Sequence, residues 1–216
     1  PKLQELRWAG ETLSEKKLPC QINDVTTLSE MDVNVDEIKP DFMFPTQLVS
    51  LSLEVHDESV DVSLLTSLTL LERLVIRLDK DEDPLDLSRL TTLTLLDAKQ
   101  TPVLGLPTSL VKCTISLRSD FDFSPLTSLT SLILWLGSGT GVIFPIGLKE
   151  LLLFQGRLDH TNINDIALES FWSGWRCPLT RDDLEKLPKT LKQVSGRFDP
   201  QSLEEHLGEI FPQVEQ

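Results

Sequence analysis

The sequence predicts an α/β, mainly β solenoid, with a curved parallel sheet on its concave side, extended, 3₁₀ or short helical segments on its convex side, and a C-terminal capping helix. Three observations support this fold class. A short apolar pattern recurs every 17 to 26 residues, several copies follow a proline, and the last residues show the periodicity of an amphipathic helix.

The recurring pattern has two apolar residues separated by any two residues, then one residue of any kind and usually a small or apolar residue. Ten copies begin at Leu3, Ile22, Leu48, Leu71, Leu93, Leu110, Leu129, Leu148, Leu168 and Leu191. Each copy predicts one strand whose alternate side chains point inward. Because a single short strand has no core of its own, the copies must stack to bury these side chains.

A proline stands three residues before the first anchor in five copies, which read LPCQI, FPTQL, LPTSL, FPIGL and LPKTL. With this lead-in and the LxxLxL core, essentially the whole chain resembles the leucine-rich repeat superfamily. The family usually has Asn or Cys at position nine of the repeat, and this chain has other residues there, from Glu11 in the first copy to Asp199 in the last. The turns after the strands therefore need other hydrogen-bond partners.

The repeats predict a solenoid of about ten units over residues 1–198 and a capping helix over residues 199–216. In that helix Asp199 is the expected N-cap and Pro200 the first helical residue. Its apolar face comprises Leu203, Leu207, Ile210 and Phe211. Units of 17 to 20 residues leave too little chain for a full helix on the return path, and their prolines favour extended segments there.

Composition narrows the classes of partner. The chain has 34 acidic and 20 basic residues, a formal net charge of −14, so its field repels nucleic acid and anionic membranes. It has no apolar run near the roughly 20 residues that span a bilayer and no signal-peptide pattern. The odd cysteine count of three favours a reducing compartment, so we expect a cytoplasmic protein, with a secreted fragment as the alternative.

No residue pattern predicts an enzyme, a cofactor or a metal site. The three histidines, His56, His160 and His206, lie in separate repeats, and none stands at ligand spacing from a cysteine. The acidic loop at residues 79–86 lacks the glycine and glutamate of a calcium loop. Since no nucleophile motif is present either, we expect a binding protein that is not an enzyme.

Strand alternation predicts where that binding occurs. When Leu132 and Leu134 face inward, Ile133 and Trp135 face the concave side, and the same register exposes further apolar residues on the next two strands. The predicted partner-binding residues are Ile133, Trp135, Leu152, Phe154 and Trp172, with Lys149, Glu150, Glu169 and Arg197 as charges at the rim. Such an aromatic cluster is typical of a binding hot spot for a protein or peptide.

Four alternatives remain open from the sequence. In the first, a segment of the chain folds over these apolar residues. In the second, the ninth repeat has a shifted register, because Ser173 is a poor inward residue and Trp172 a better one. In the third, the apolar residues mediate a homodimer in a self-associating structural protein. The short proline-led repeats also resemble those of bacterial effector proteins, which implies the recognition part of a larger enzyme such as an effector-type ubiquitin ligase.

Overall fold

The computed structural model describes residues 3–13, 25–39, 42–56, 63–78, 84–99, 101–137, 139–174, 176–199 and 207–214. The chain forms two compact units, residues 1–110 and 111–216. In each unit five strands form parallel sheet, and a return segment joins each strand to the next strand of that sheet. This arrangement confirms the predicted β-rich solenoid.

The first unit holds its main strands in chain order, β1-β2-β3-β4-β6. Its elements are β1 (Glu5–Leu13), β2 (Glu30–Ile38), β3 (Ser50–Val55), a short helix α1 (Ser63–Thr66), β4 (Arg73–Leu78), β5 (Leu85–Asp86), β6 (Leu95–Ala98) and β7 (Val103–Gly105). Strands β5 and β7 belong to return segments and pair with each other in a separate small sheet.

The second unit repeats this plan with the order β8-β10-β12-β13-β14. Its elements are β8 (Lys112–Leu117), β9 (Phe121–Asp122), β10 (Ser131–Leu136), β11 (Val142–Ile143), β12 (Glu150–Gln155), a 3₁₀ turn (Ile163–Asp165), β13 (Ser170–Ser173), α2 (Arg181–Lys186), β14 (Gln193–Gly196) and α3 (Leu207–Ile210). Strands β9 and β11 pair on the return path.

Alternation along each strand builds the core. In β10 the inward residues Leu132, Leu134 and Leu136 are buried, whereas Ile133 and Trp135 between them are half-buried on the outward face. Parallel pairing in register places inward residues of neighbouring strands side by side, so they form ladders that exclude water. The leucine pattern therefore encodes both the strands and the face that each strand buries.

The second repeat differs from its expected register. Its first anchor was expected at Ile22, which lies outside the described residues, but β2 begins only at Glu30 and Leu28 is fully buried. Leu28 is therefore the anchor, and Met31 and Val33 are the inward residues that follow it. Methionine fills a leucine position here because its unbranched side chain adapts to the space between neighbouring repeats.

The described parts of the return segments are extended or contain short turns and short helices, as predicted. Two of them share an Asp-x-Ser turn, in which the backbone N–H of Ser88 donates to Asp86 Oδ1 at 3.0 Å and that of Ser124 donates to Asp122 Oδ1 at 2.8 Å. Hydrogen bonds from the serine side chains, followed by these backbone bonds, lower the pKa of both carboxyl groups. Helix α2 begins with a capping box, because its N-cap Thr180 and Asp183 bond reciprocally.

A ladder of hydroxyl groups ties neighbouring repeats together. In four repeats the residue directly before the anchor leucine donates a side-chain hydrogen bond to the carbonyl oxygen of the preceding anchor. The pairs are Thr27 with Leu3 at 2.7 Å, Thr92 with Leu71 at 2.9 Å, Ser109 with Leu93 at 2.7 Å and Thr190 with Leu168 at 2.9 Å. This hydroxyl ladder satisfies main-chain carbonyls just before the strands and depends on one side chain per repeat.

Position nine, which lacks the usual Asn or Cys, still holds a buried hydrogen-bonding side chain in one repeat. Thr101 has no exposed surface, and its hydroxyl accepts from Leu78 N–H at 3.2 Å and donates to the carbonyl of Ile76 at 3.4 Å. It thus binds the backbone of the preceding repeat from both sides, because a hydroxyl both accepts and donates.

The C-terminal segment packs on the last repeat of the second unit. Leu207 and Phe211 are buried, the ammonium of Lys189 lies 4.8 Å from the centroid of the Phe211 ring, and Gln213 donates to the carbonyl of Lys189. Residues 200–206 lie outside the described residues, so the longer capping helix from Asp199, and the boundary after residue 198, stay predictions.

The two described cysteines are expected to resist thiol reagents in the native protein. Cys113 and Cys177 are buried and form no disulfide, and burial, followed by the charge of Asp183, raises the pKa of Cys177 to about 11. At pH 8 Cys177 is therefore a thiol, whereas iodoacetamide reacts with thiolates, and burial shields Cys113 from the reagent. The neutral Cys177 thiol contributes to the free energy of unfolding. This contribution is fully present below pH 9.0, the ordinary pKa of the group, and is lost as the pH rises through about 11.

Peptide mapping by mass spectrometry after alkylation at pH 8 checks this expectation. We expect modification of both residues only when guanidinium is present. Equal labelling with and without guanidinium would contradict their placement in the core.

Candidate functional site

The candidate site lies on the outward face of β10, β12 and β13. Parallel pairing brings Ile133, Leu152 and Trp172 to the same level of these three strands. Each of them follows an inward residue that is fully buried, so the core fixes its position. The buried residues Leu132, Leu151 and Phe171 set this register. The three apolar residues that follow them therefore form a line across three repeats.

Three aromatic rings form a second line beside it, which we call the aromatic row: Trp135, Phe154 and Trp172. The rings of Trp135 and Phe154 are stacked, with centroids 4.5 Å apart and planes 5° apart. The ring of Trp172 tilts by 57° against Phe154 at 4.8 Å. All three are half-buried, so part of each ring remains exposed and the described part of the chain does not fully cover the row.

The pairing of β10 with β12 shifts at the aromatic row. Leu134 pairs with Leu153, but Trp135 pairs with Gln155 instead of Phe154. A shift of this kind alters the local twist of a sheet and re-aims the side chains that follow it. Phe154 therefore lies near two aromatic neighbours rather than directly opposite one.

Charged residues stand where the strands begin. Lys192 Nζ lies 2.6 Å from Glu169 Oε2, and Lys149 Nζ lies 3.8 Å from Glu169 Oε1. The hydrogen bond from Lys192, then its charge and that of Lys149, lowers the pKa of Glu169. The carboxylate is thus ionised at neutral pH, and two lysines share it.

All nine predicted site residues belong to the second unit. Half-buried Glu169 directly precedes β13, and the structure places the other eight as follows. Ile133, Trp135, Leu152, Phe154 and Trp172 are half-buried on the outward face. Glu150 is exposed on that face at the start of β12, Lys149 precedes it, and exposed Arg197 directly follows β14. The structure brings the five apolar residues together and leaves the charged residues at the two ends of the strands.

The shifted register considered for the ninth repeat does not occur. Phe171 and Ser173 are buried and point inward, with 0% and 1% of their surface exposed, whereas Trp172 points outward. Ser173 is tolerated inside because its hydroxyl donates to the carbonyl of Arg197 at 3.4 Å. A polar residue at an inward position is therefore compatible with the regular alternation.

Sequence reasoning missed three basic residues beside the strands: Lys112, Arg118 and Lys192. Each is exposed and lies in a strand or next to one. One signal was readable, because Lys149, Glu169 and Lys192 each directly follow an anchor leucine. Parallel pairing brings equivalent positions of neighbouring repeats together, so this alternation of charge predicts the observed ion pairs.

A hollow of about 610 Å³ elsewhere in the second unit is lined by Asp120, Asp122 and His160. Asp120 Oδ1 accepts from Gly141 N–H at 2.6 Å, and Asp122 Oδ1 accepts from Ser124 N–H. Both carboxylates thus hold the backbone of return segments. In the part of the chain that the structure describes, no group of three His, Cys, Asp or Glu side chains is placed to hold a metal ion.

The same described ranges contain no helix with the length and apolar character needed to cross a membrane.

Solved structures match this architecture over almost the whole chain. A leucine-rich repeat protein of Leptospira interrogans is 18% identical with a TM-score of 0.55, and the match covers 99% of this chain and 66% of that one. This chain has the leucine-rich repeat fold. An internalin of Listeria monocytogenes is 16% identical with a TM-score of 0.45, covering 99% of this chain and 86% of that chain.

No protein-family model and no curated protein matches the sequence. At these identities the leucine-rich repeat fold is what the structural likeness establishes. This chain spans slightly less than two thirds of the Leptospira protein. The fold does not by itself identify a ligand, because function depends on the residues that a repeat protein displays on its faces.

Proposed function

We propose that this chain is a non-enzymatic binding module that recognises a protein or peptide through the outward face of its seventh to ninth repeats. The observation that carries the proposal is the aromatic row, three large rings on adjacent strands next to Ile133 and Leu152. Trp and other aromatic residues dominate binding hot spots because they bury a large surface at a low entropy cost.

The surface available to a partner is of suitable size. A fully buried aromatic side chain covers about 150 to 250 Å², so the aromatic row offers about 450 to 750 Å² to a partner that buries it completely. Patches of this size on a soluble protein are often functional. Lys149, Glu150, Glu169 and Arg197 are the proposed polar rim.

The proposed setting is the cytoplasm, a reducing compartment. Cys113 and Cys177 support it, because neither of these described cysteines is used in a disulfide.

The test is selection of peptides on the intact 216-residue chain. A display library of random 12-residue peptides is selected on the wild-type chain, and the Kd of enriched peptides is measured by fluorescence anisotropy. We expect the double variant Trp135→Ala, Phe154→Ala to weaken binding at least 10-fold, because truncating a hot-spot residue costs about 2 kcal/mol or more. Circular dichroism verifies that the variant is folded.

The matched control is Ile146→Ala, which removes a side chain that is 81% exposed in a turn of the same unit. It removes exposed apolar surface without touching the aromatic row, so its Kd is expected to stay within about twofold of wild type. Equal affinity of the double variant and the wild type would refute the proposed site. Light scattering separates a foreign partner from self-association through the same row.

A further inference from the structure

Charged side chains of the second unit are distributed unevenly between the sheet and the return segments. Seven charged residues lie in its five sheet strands or within one residue of them. Five of these are basic and exposed, and we call them the basic rim: Lys112, Arg118, Lys149, Lys192 and Arg197. Glu150 and Glu169 are the two acidic ones, and Glu169 is already shared by two lysines.

The basic rim contrasts with the rest of the chain. The formal net charge of the protein is −14, and most charged residues on the described return segments of this unit are acidic, among them Asp120, Asp122, Asp159 and Asp165. Charges separated by more than about 8 to 10 Å are screened at physiological salt. A short ligand on the sheet therefore experiences the local positive rim, whereas a long polyanion also meets the negative field of the whole chain.

The aromatic row supplies the apolar part of the binding surface. Trp135 and Phe154 are parallel and stacked, so each ring covers one face of the other, and all three rings of the row are half-buried. A large apolar side chain of a ligand can bury the ring surface that remains exposed. The aromatic row and the basic rim are thus complementary to two parts of one ligand, an apolar side chain and carboxylates.

We propose that the ligand of this face is a short acidic peptide that carries at least one large apolar side chain. This inference rests on the proposed function and specifies its partner. The apolar side chain packs on the aromatic row beside Ile133 and Leu152, while carboxylates of the peptide pair with the basic rim. Arginine and lysine at a rim contribute mainly to specificity and association rate, and they act in a salt-dependent manner.

The peptide selection described above also tests this inference, since its library has no charge bias. Sequencing is expected to show that enriched peptides are more acidic than the input library and rich in aromatic or aliphatic residues. The Kd of these peptides is expected to rise at least 10-fold on the double charge reversal Arg118→Glu, Arg197→Glu. It is also expected to rise between 50 mM and 500 mM NaCl.

The matched control is Arg157→Glu, Arg181→Glu, which changes the net charge equally at two exposed residues of return segments. We expect its Kd to stay within about twofold of wild type. Lys112→Glu, Lys149→Glu is a second rim variant for use if the arginine variant fails to fold by circular dichroism. Equal weakening by rim and control variants would overturn the inference, because a general charge effect would then explain the binding.

The two proposals fail in distinguishable ways. Enrichment of neutral or basic peptides whose binding still requires Trp135 and Phe154 would leave the proposed function intact and overturn the acidic ligand. Enriched peptides that bind the aromatic double variant as well as wild type would refute the site, and with it this inference. A selection that enriches no peptide would contradict both.

Discussion

Replacing Leu134 with alanine is expected to lower the free energy of unfolding by about 2 to 5 kcal/mol, the usual range for truncating a fully buried leucine. Leu134 has no exposed surface and lies in the middle of β10, where Ile115 and Leu153 flank it on the neighbouring strands. Because both neighbours are held in register by main-chain hydrogen bonds, the space left by the side chain cannot close fully. Urea unfolding followed by circular dichroism measures the loss.

Ile133→Ala provides the matched control, since it alters the adjacent residue on the opposite face. Ile133 is half-buried, so its truncation is expected to cost about 1 kcal/mol. Similar losses for the two variants would contradict the assignment of inward and outward faces, and with it the position of the aromatic row.

Gly156→Ala is expected to destabilise the protein by roughly 3 kcal/mol or more. Gly156 has a φ of 112°, a conformation that residues with a Cβ rarely adopt, and a methyl group there would overlap the side chain of Leu136. Leu136 is buried in the core and cannot move away freely. Two separate costs therefore add at this residue, backbone strain and steric overlap, and thermal unfolding measures their sum.

Gly139→Ala separates these two costs. Gly139 also has a positive φ, 75°, but a Cβ there would meet no atom within 4 Å. Only the backbone cost of about 1 to 2 kcal/mol is expected. A larger loss at Gly139 than at Gly156 would contradict the close approach of Gly156 to Leu136.

Leucine spacing predicted the solenoid and the faces of most strands, because a parallel array permits one way of burying an LxxLxL segment. The β2 repeat shows the limit of this reasoning. Both INDVTT from Ile22 and LSEMDV from Leu28 fit the apolar pattern, and the expected anchor was Ile22, which follows the proline of LPCQI. The pattern alone does not decide between two overlapping matches, whereas the core accepts Leu28, Met31 and Val33 because methionine fills a leucine position.

The site was predictable to a similar degree. Alternation placed Trp135, Phe154 and Trp172 on one face, but it did not predict that two of these rings stack while the third is tilted. Ring orientation depends on side-chain rotamers and on the pairing shift after Leu134, neither of which has a sequence signature. Arg118 and Arg197 were hard to group together in advance because they follow strands of repeats far apart in the chain.

The hydroxyl ladder has an evolutionary consequence. Every acceptor in it is a main-chain carbonyl, which any amino acid provides, and the donor is Ser109 in one repeat and a threonine such as Thr27, Thr92 or Thr190 in the others. Selection at each junction thus constrains one side chain only loosely. An exchange between serine and threonine at such a junction keeps the tie between the two repeats, since either hydroxyl reaches the same carbonyl oxygen.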